Sequence, residues 1–407
     1  MLQVKSATAA LALLEEEIKP LQKEPMILPL TAALGQIAAA DILCGEVIPP
    51  FDRCTVDGYA LRARDSFGAG EGLPARLRLK GCVEMGSLPD FSLKAGESAY
   101  VPTGGCLPAG ADAVVMLEYS EDIGDGYVYL YKAAAPGNHL IFAGEDAQPH
   151  EVLIQRYQKI KSHHVGLLAA AGIAELPVLP PVRVGIISSG DELVDIETEP
   201  KGAQIRDVNS YLISALLEEA GATAHRYGIM ADNAENLLRL STSALTECDM
   251  LLLSGGSSVG QQDHSQWVLK NLPDSRLLLH GLAVKPGKPT LLAMAGGKPV
   301  FGLPGHPLSA YFICHIFVRY ALRLLQGQSV EPPHTVTATL TNNYPSNAGR
   351  EEYLPLALSQ GPEGWLARPI FNKSGLISLL KQAGGYTRIG REEEGLAKGQ
   401  KIEVEVF

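Results

Sequence analysis

Between residues 182 and 310 one layout recurs: an apolar, strand-like run ends in a short turn of Gly, Ser, Lys or acidic residues. Val182–Ile187 leads into Ser188-Ser189-Gly190-Asp191-Glu192, Thr223–Ile229 into Asp232, and Met250–Leu253 into Ser254-Gly255-Gly256-Ser257-Ser258-Val259-Gly260. Leu282–Val284 leads into Lys285-Pro286-Gly287-Lys288-Pro289, and Val300–Phe301 into Gly302-Leu303-Pro304-Gly305-His306-Pro307. Helical stretches separate or follow them: Val208–Ala220, Ala234–Thr246, Gln262–Leu272 and Leu308–Leu325. Strands alternating with helices of this length imply right-handed crossovers and a parallel sheet. In such a sheet the turns gather at the carboxyl ends of the strands, where open α/β sheets bind ligands. One crevice lined by acids, lysines and glycine turns would suit a divalent cation together with an anionic substrate.

The flanks have a different texture. Ser6 is positioned to cap a helix running to about Lys19, with Ala9, Leu13, Leu14 and Ile18 on one face. From about 45 to 145, short β-rich runs (Arg76–Leu79, Ser98–Val101, Ala113–Leu117, Tyr127–Tyr131) alternate with Gly, Pro and Asp turns, the mark of an all-β insert. Ser162–Ala171 is a further helix, and Leu176–Pro181 reads as a linker. Beyond 331 the pattern is again β, with Thr335–Leu340, Glu352–Leu358, Trp365–Pro369 and Lys401–Phe407. The resulting organisation is a discontinuous helical and linker domain (1–44 with 146–180), a β-rich insert (45–145), an α/β domain (181–328) and a C-terminal β domain (329–407). A length of 407 residues accommodates that number, at roughly 100–200 residues per domain.

A net charge of −11 argues against a non-specific nucleic-acid binder, which needs a basic face. The six cysteines are scattered, without C-x-x-C or zinc-finger spacing, and read as small buried hydrophobes of a reducing cytosol. Glu15-Glu16-Glu17 interrupts the N-terminal apolar stretch, so no signal peptide is expected, nor any membrane span of about 20 residues. The expected setting is cytoplasmic.

Within the α/β segment, the turn from Ser254 to Gly260 could aim backbone N–H groups at an oxyanion, because Gly removes the blocking Cβ. The same turn would serve a ligand-free strand-to-helix junction. Neither a Walker A loop nor G-x-G-x-x-G occurs, which demotes ATP hydrolysis and NAD binding. Lys285 and Lys288, on a turn stiffened by Pro286 and Pro289, suit a tetrahedral oxyanion, since little rotamer freedom is left to lose. Asp191, Glu192, Asp232 and Asp263 are of the type that Mg²⁺ uses beside a phosphate. Helix N-capping is the competing reading for Asp232 and Asp263, and the two roles can coexist. Gly305-His306-Pro307 opens a long helix whose N-terminus, with Ser309 in its first turn, favours an anion. Thr55–Ala60 and the Thr103-Gly104-Gly105 segment, taken alone, are β-turns, and the adjacent His163 and His164 diverge on a helix.

Taken in order, Val56-Asp57-Gly58-Tyr59-Ala60, Thr103-Gly104, Gly144-Glu145-Asp146, Ser189–Leu193, Ser254-Gly255-Gly256, Val259-Gly260-x-x-Asp263, Lys285–Pro289 and Gly302–Gly305 resemble the molybdopterin molybdotransferase (MoeA) family, which includes the gephyrin E domain. The likeness runs from about residue 5 to the C-terminus. It implies a multidomain α/β plus β fold: a central, doubly wound, mostly parallel MogA-like molybdopterin-binding domain, the discontinuous helical domain, the β insert and a C-terminal β-barrel. It also implies a homodimer whose cleft draws on both subunits. The reaction implied is insertion of molybdate into adenylylated molybdopterin with Mg²⁺-assisted release of AMP, with molybdopterin adenylyltransferase as a partner. By that likeness Lys285, Lys288, Pro289, Ser309, Arg350 and Ser374 bind molybdate; Asp57, Thr103, Asp146, Glu192 and Asp263 carry activity. Ser254, Gly255, Gly256, Ser257, Asp232, Gly302, Pro304 and Gly305 bind the pterin substrate, and Asp191, Glu192 and Asp263 hold metal.

Some positions depart from the family pattern. Cys54-Thr55-Val56 stands for Ser-Ala-Met, Arg206 for Tyr, Ser257 for Val, His264 for Tyr and His306 for Asn. An imidazole titrates near neutrality where an amide does not. Such changes suit a paralogue that inserts tungstate, or a cofactor carrier or scaffold without efficient insertion. A nucleotide pyrophosphatase on a similar domain would need neither the Lys-Pro-Gly-Lys-Pro turn nor the β-rich flanks.

Overall fold

A computed structural model describes residues 4–255, 264–329, 332–370 and 375–407. The chain forms two units, one of Ile27–Leu34 with Ala38–Val178 and one of Met1–Met26, Gly35–Ile37 and Leu179–Phe407. Helix α1 (Ala7–Glu17) opens the larger unit, and the Ser6 hydroxyl caps it by accepting from the Ala9 N–H at 3.2 Å. Ala7, Ala10 and Leu14 bury its inner face.

The smaller unit is built on a six-stranded sheet in the spatial order Ala113–Met116, Gly58–Leu61, Glu97–Val101, Ala75–Cys82, Tyr127–Leu130, Ser120–Asp122. Gly58–Leu61 corrects the turn expected there: it is a fully buried inner strand. A Cβ on Gly58 would lie 2.2 Å from the Val115 carbonyl oxygen, so the residue read as turn punctuation permits close strand packing instead. Helix α2 (Ser162–Ala170) follows. The segment expected as a linker contributes a strand, Glu175–Val178, because Leu176 and Val178 alternate into a core with Ile154, Ile160 and Leu168. Pro177 lies within this strand, whose sheet has only two strands so that a missing N–H is tolerated, and Pro180 and Pro181 lie beyond its end.

In the larger unit the α/β segment runs β1 (Arg183–Ser189), α3 (Asn209–Glu219), β2 (Thr223–Met230), α4 (Ala234–Glu247), β3 (Met250–Ser254), α5 (His264–Asn271), β4 (Ser275–His280), β5 (Leu291–Ala295) and β6 (Lys298–Leu303). Sheet order is β2-β1-β3-β6-β5-β4. The first four strands are mutually parallel, and β5 and β4 are added antiparallel. All of β3 is buried, as expected of a strand covered on both faces.

The Leu282–Val284 run is a correction. It does not join this sheet; Val284–Lys285 pairs in parallel with Glu351 and Glu352. The physical reason is that the Gly296-Gly297 turn, both residues at positive φ, folds β5 back on β6, and β4 then closes that edge. The strands that lead into four of the expected turns share this sheet, and the one that leads into the lysine turn does not.

Helix α6 (Pro307–Ile313) passes through a π-turn (Cys314–Val318) into α7 (Arg319–Leu325). These 19 residues, with a mean hydropathy of 1.4, are long and apolar enough to cross a bilayer. Here they form a core helix, with Leu308, Phe312, Phe317 and Leu322 packed inside. The C-terminal strands β7 (Thr335–Leu340), β8 (Glu351–Gly361), β9 (Gly364–Pro369), β10 (Gly385–Ile389) and β11 (Lys401–Val406) run in the order β8-β9-β7-β11-β10. Pairing of β8 with β10 closes them into a five-stranded barrel.

Candidate functional site

Strand β1 has β2 on one side and β3 on the other, so the chain order reverses between β1 and β3. Their carboxyl ends diverge there and leave the crevice that open sheets use for ligands. Gly255, at φ +101°, sits so close to the end of β1 that a Cβ would lie 2.0 Å from the Ser189 carbonyl oxygen. No other residue fits that turn. A cleft of about 490 Å³ opens beside it, lined among others by Ser189, Glu192, Arg206, Asn209, Ser254 and His306.

Asn209, at the first turn of α3, fastens the floor of this cleft. Its Nδ2 donates to Ser254 Oγ and to the Gly305 carbonyl, both at 2.9 Å, so one amide joins α3 to the ends of β3 and β6. The Gly305 carbonyl fixes the amide orientation, since the reverse would set two oxygens together. Asn209 Oδ1 is buried without a hydrogen-bond partner. Asp207, also buried, accepts from Ser188 Oγ at 2.7 Å and from the Ser210 N–H at 3.1 Å. Arg206 Nε donates to the Ile196 carbonyl at 3.0 Å.

The acids of the first two turns meet. Ser189 Oγ donates to Asp232 Oδ1 at 2.6 Å, and the Asp232 N–H donates to Asp191 Oδ1 at 3.1 Å. Asp191, Glu192 and Asp232 are all exposed. Asp232 does not cap α4; Asn233 does, accepting from the Asn236 N–H at 2.9 Å. Among the described residues no group of three or more His, Cys, Asp or Glu gathers as a metal cage. Hard, solvated carboxylates of this kind fit Mg²⁺, which keeps waters and completes its shell with substrate phosphate.

The cationic set lies along α6. Val284–Lys285 pairs with Glu351–Glu352, which brings Lys285 beside the strand that follows Arg350. Lys285 Nζ forms an ion pair with Glu352 Oε1 at 2.8 Å, while Lys288 is exposed. At Gly287, φ +116°, a Cβ would lie 2.5 Å from Ile313 Cδ1, so the lysine turn is pressed against α6. Ser309 is buried on that helix, Pro304 is buried just before it, and Gly302 lies within β6. Pro289 is half-buried. The N-terminus of α6, Gly305-His306-Pro307, lines the cleft, and Gly375 approaches His306.

In the smaller unit the Thr103 N–H donates to Asp57 Oδ1 at 2.7 Å, and the strand pairing of Leu140 with Cys54 brings the segment leading to Asp146 to the same edge. Burial and the neighbouring Cys106 push the Cys54 thiol up to about 12, so it stays protonated. Gly256, Ser257, Asp263 and Ser374 lie outside the described residues. Glu352 escaped the sequence reading; the signal was an acid set two residues past Arg350 at the head of the apolar run Tyr353-Leu354-Pro355-Leu356.

Family models match most of the chain: the MoeA N-terminal region (domains I and II) over residues 5–172, the domain described as "Probable molybdopterin binding domain" over 185–324, and the MoeA C-terminal region (domain IV) over 337–407. A Methanocaldococcus jannaschii protein, provisionally described as a molybdopterin biosynthesis protein, is 32% identical over 387 residues, 91% of this chain and 89% of its own. The molybdopterin molybdenumtransferase of Bacillus subtilis is 29% identical over 94% of this chain and 90% of its own. The crystal structure of a molybdopterin biosynthesis MoeA protein from Pyrococcus horikoshii OT3 superposes over 100% of both chains, with a TM-score of 0.87 and 30% identity.

Proposed function

The chain belongs to the MoeA family, and from that premise we propose that it completes molybdenum cofactor by inserting molybdate into adenylylated molybdopterin and releasing AMP. One observation carries the reading: α6 borders both the switch-point cleft and the lysine turn. Its N-terminal residues line the switch-point cleft, and Ile313, two turns on, meets the lysine turn. A pterin phosphate in the cleft and an oxyanion at Lys285, Lys288 and Arg350 would then share one rigid element, which is what joining the two requires.

The chain's own groups divide the work. Gly255 and the helix N-termini of α3 and α6 favour phosphate, and Asn209 holds their spacing. Lys288 and Arg350 supply net positive charge for a dianionic oxometalate, with Lys285 as an oriented donor. Asp191 and Asp232, with Glu192 next to Asp191 in sequence and Asp263 further along the chain, would hold Mg²⁺, which would neutralise pyrophosphate charge as AMP leaves. Asp57, Thr103 and Asp146 lie in the smaller unit; the family likeness implies a homodimer in whose cleft they would take part. We assign the protein to the cytoplasm, where molybdopterin adenylyltransferase would supply its substrate.

The test is to incubate purified protein with adenylylated molybdopterin, Mg²⁺ and either molybdate or tungstate, and follow AMP. AMP release dependent on oxyanion is expected. Release with neither oxyanion would indicate a pyrophosphatase, and none under any condition a carrier. Lys288→Ala should lower molybdate-dependent product formation about tenfold at limiting molybdate, in line with the loss of one charge-assisted contact, and leave the oligomer intact; unchanged turnover removes Lys288 from the oxyanion site.

A further inference from the structure

Glu352 is the most enclosed carboxylate near the cationic set, its side chain only 2% exposed. Three donors converge on it. Oε1 accepts from Lys285 Nζ at 2.8 Å and from the Tyr344 hydroxyl at 2.8 Å, and Oε2 accepts from Ser346 Oγ at 2.6 Å. Burial, then the carboxylate itself, push the Tyr344 phenol well above its ordinary value, so it remains a donor. The strand pairing sets Lys285 and Glu352 as direct partners, which keeps ammonium and carboxylate within reach, and the Tyr344 and Ser346 hydroxyls hold the carboxylate in place. Lys285 keeps 37% of its side chain exposed, and its ammonium has two N–H donors beyond the one given to Glu352.

A buried carboxylate is costly unless paired and hydrogen-bonded, and here both conditions are met. The pairing has a second consequence. The ammonium of Lys285 is already neutralised, and a fixed negative charge stands one ammonium away from any oxyanion it touches. An anion site made only to retain its ligand would not carry that charge, because it repels a dianion. A site that must hand its oxyanion on gains from it, since tight ground-state binding lowers turnover.

We propose that Glu352 is a positioning residue that holds the Lys285 ammonium in register and, by its own charge, loosens the oxyanion so that it can be passed to the pterin. This rests on the reading that Lys285, Lys288 and Arg350 hold molybdate. The experiment is equilibrium dialysis of molybdate and tungstate against the full-length protein, with Glu352→Gln beside the unaltered chain. Gln keeps the shape and can still accept from Lys285 and Tyr344, but removes the charge. Glu352→Gln is expected to bind either oxyanion on the order of tenfold more tightly, with KM for molybdate and kcat both lowered. A merely structural carboxylate would give the reverse, since a loosened site does not tighten. Binding unchanged or weaker in a Glu352→Gln chain that melts with the unaltered protein overturns the proposal. If that variant fails to fold, Ser346→Ala serves instead: it strips one donor from the carboxylate, strengthens its hold on Lys285 and should weaken oxyanion binding several-fold, whereas unchanged or tighter binding overturns the proposal. Absence of oxyanion binding by the unaltered chain defeats the molybdate reading itself and this inference with it. Binding by the unaltered chain with the wrong order among variants defeats this inference alone.

Discussion

Single residues in this protein are constrained by what lies within an ångström or two of them, and Gly255 is the clearest case. Its backbone combines positive φ with a position where a methyl group would meet the Ser189 carbonyl oxygen at 2.0 Å. A flexible neighbour could yield, but a backbone oxygen at the end of an internal strand cannot. Gly255→Ala should therefore destabilise the fold by at least about 2 kcal/mol, strain and displacement together. Calorimetric melting would show it, and an unchanged midpoint would mean that the β1 and β3 ends are looser than described. The sequence singled out this glycine in a turn open either to an oxyanion or to a ligand-free strand-to-helix junction. In the fold it permits close approach of the protein's own backbone. Asn209 was not singled out by the sequence, because a hydrogen bond to the Gly305 carbonyl, 96 positions away, leaves no local pattern.

The π-turn joining α6 to α7 illustrates what an element does that its residues do not announce. The extra residue per turn places His315 where it stacks on Tyr311 and meets Tyr386 and Phe407 edge-on. His315 Nδ1 lies 3.0 Å from Arg319 Nη1 and accepts from it, which requires a neutral ring. Burial, with the charges of Arg319 and Arg323 behind it, lowers the imidazole to about 4. The sign follows from linkage. The unfolded chain takes up a proton near pH 6.5 and the folded chain does not until about 4. The contribution of the neutral ring is thus complete above pH 6.5, declines as pH falls through that interval and is gone below 4, a total of about 3 kcal/mol at most. His315→Phe should flatten the fall in melting temperature between pH 6.5 and 4; an equal slope in both chains would show that the ring protonates freely in the fold. Among elements, the long apolar runs were legible: Thr335–Leu340 was read with its observed bounds, and β1, β2 and β3 within two residues. Gly58–Leu61 and Gly385–Ile389 were not, because a glycine start and four or five residues carry too little periodicity to separate a buried strand from a turn.

Across the whole chain, the order of the family motifs made the architecture legible, yet the partition of the larger unit was not. The lysine turn was expected on the α/β sheet and pairs instead with a barrel strand, since a local run of Leu-Ala-Val does not state which sheet will accept it. The barrel is likewise more than an appended domain. Its outward-facing Tyr353 and Tyr386 place their rings 6.1 Å and 5.4 Å from Phe312 on α6, and the terminal Phe407 lies 5.4 Å from Tyr311. Tyr353 and Tyr386 belong to the same buried cluster as Val184, Met250 and Phe301 of the α/β sheet. Aromatic pairs contribute beyond the area they bury, so separating barrel from sheet would expose a continuous apolar face and is costly at every step. The two should unfold together. The chain offers its own reporters, having only two tryptophans, Trp267 on α5 beside the sheet and Trp365 on β9 of the barrel. Trp365→Phe leaves emission that follows the sheet, and Trp267→Phe leaves emission that follows the barrel. Coincident thermal midpoints in the two variants are expected from a shared core. A barrel signal that melts several degrees apart from the sheet signal would show that the α6 aromatics do not bind the two into one cooperative body, and would leave Lys285 and Arg350 on a part able to move independently of the cleft.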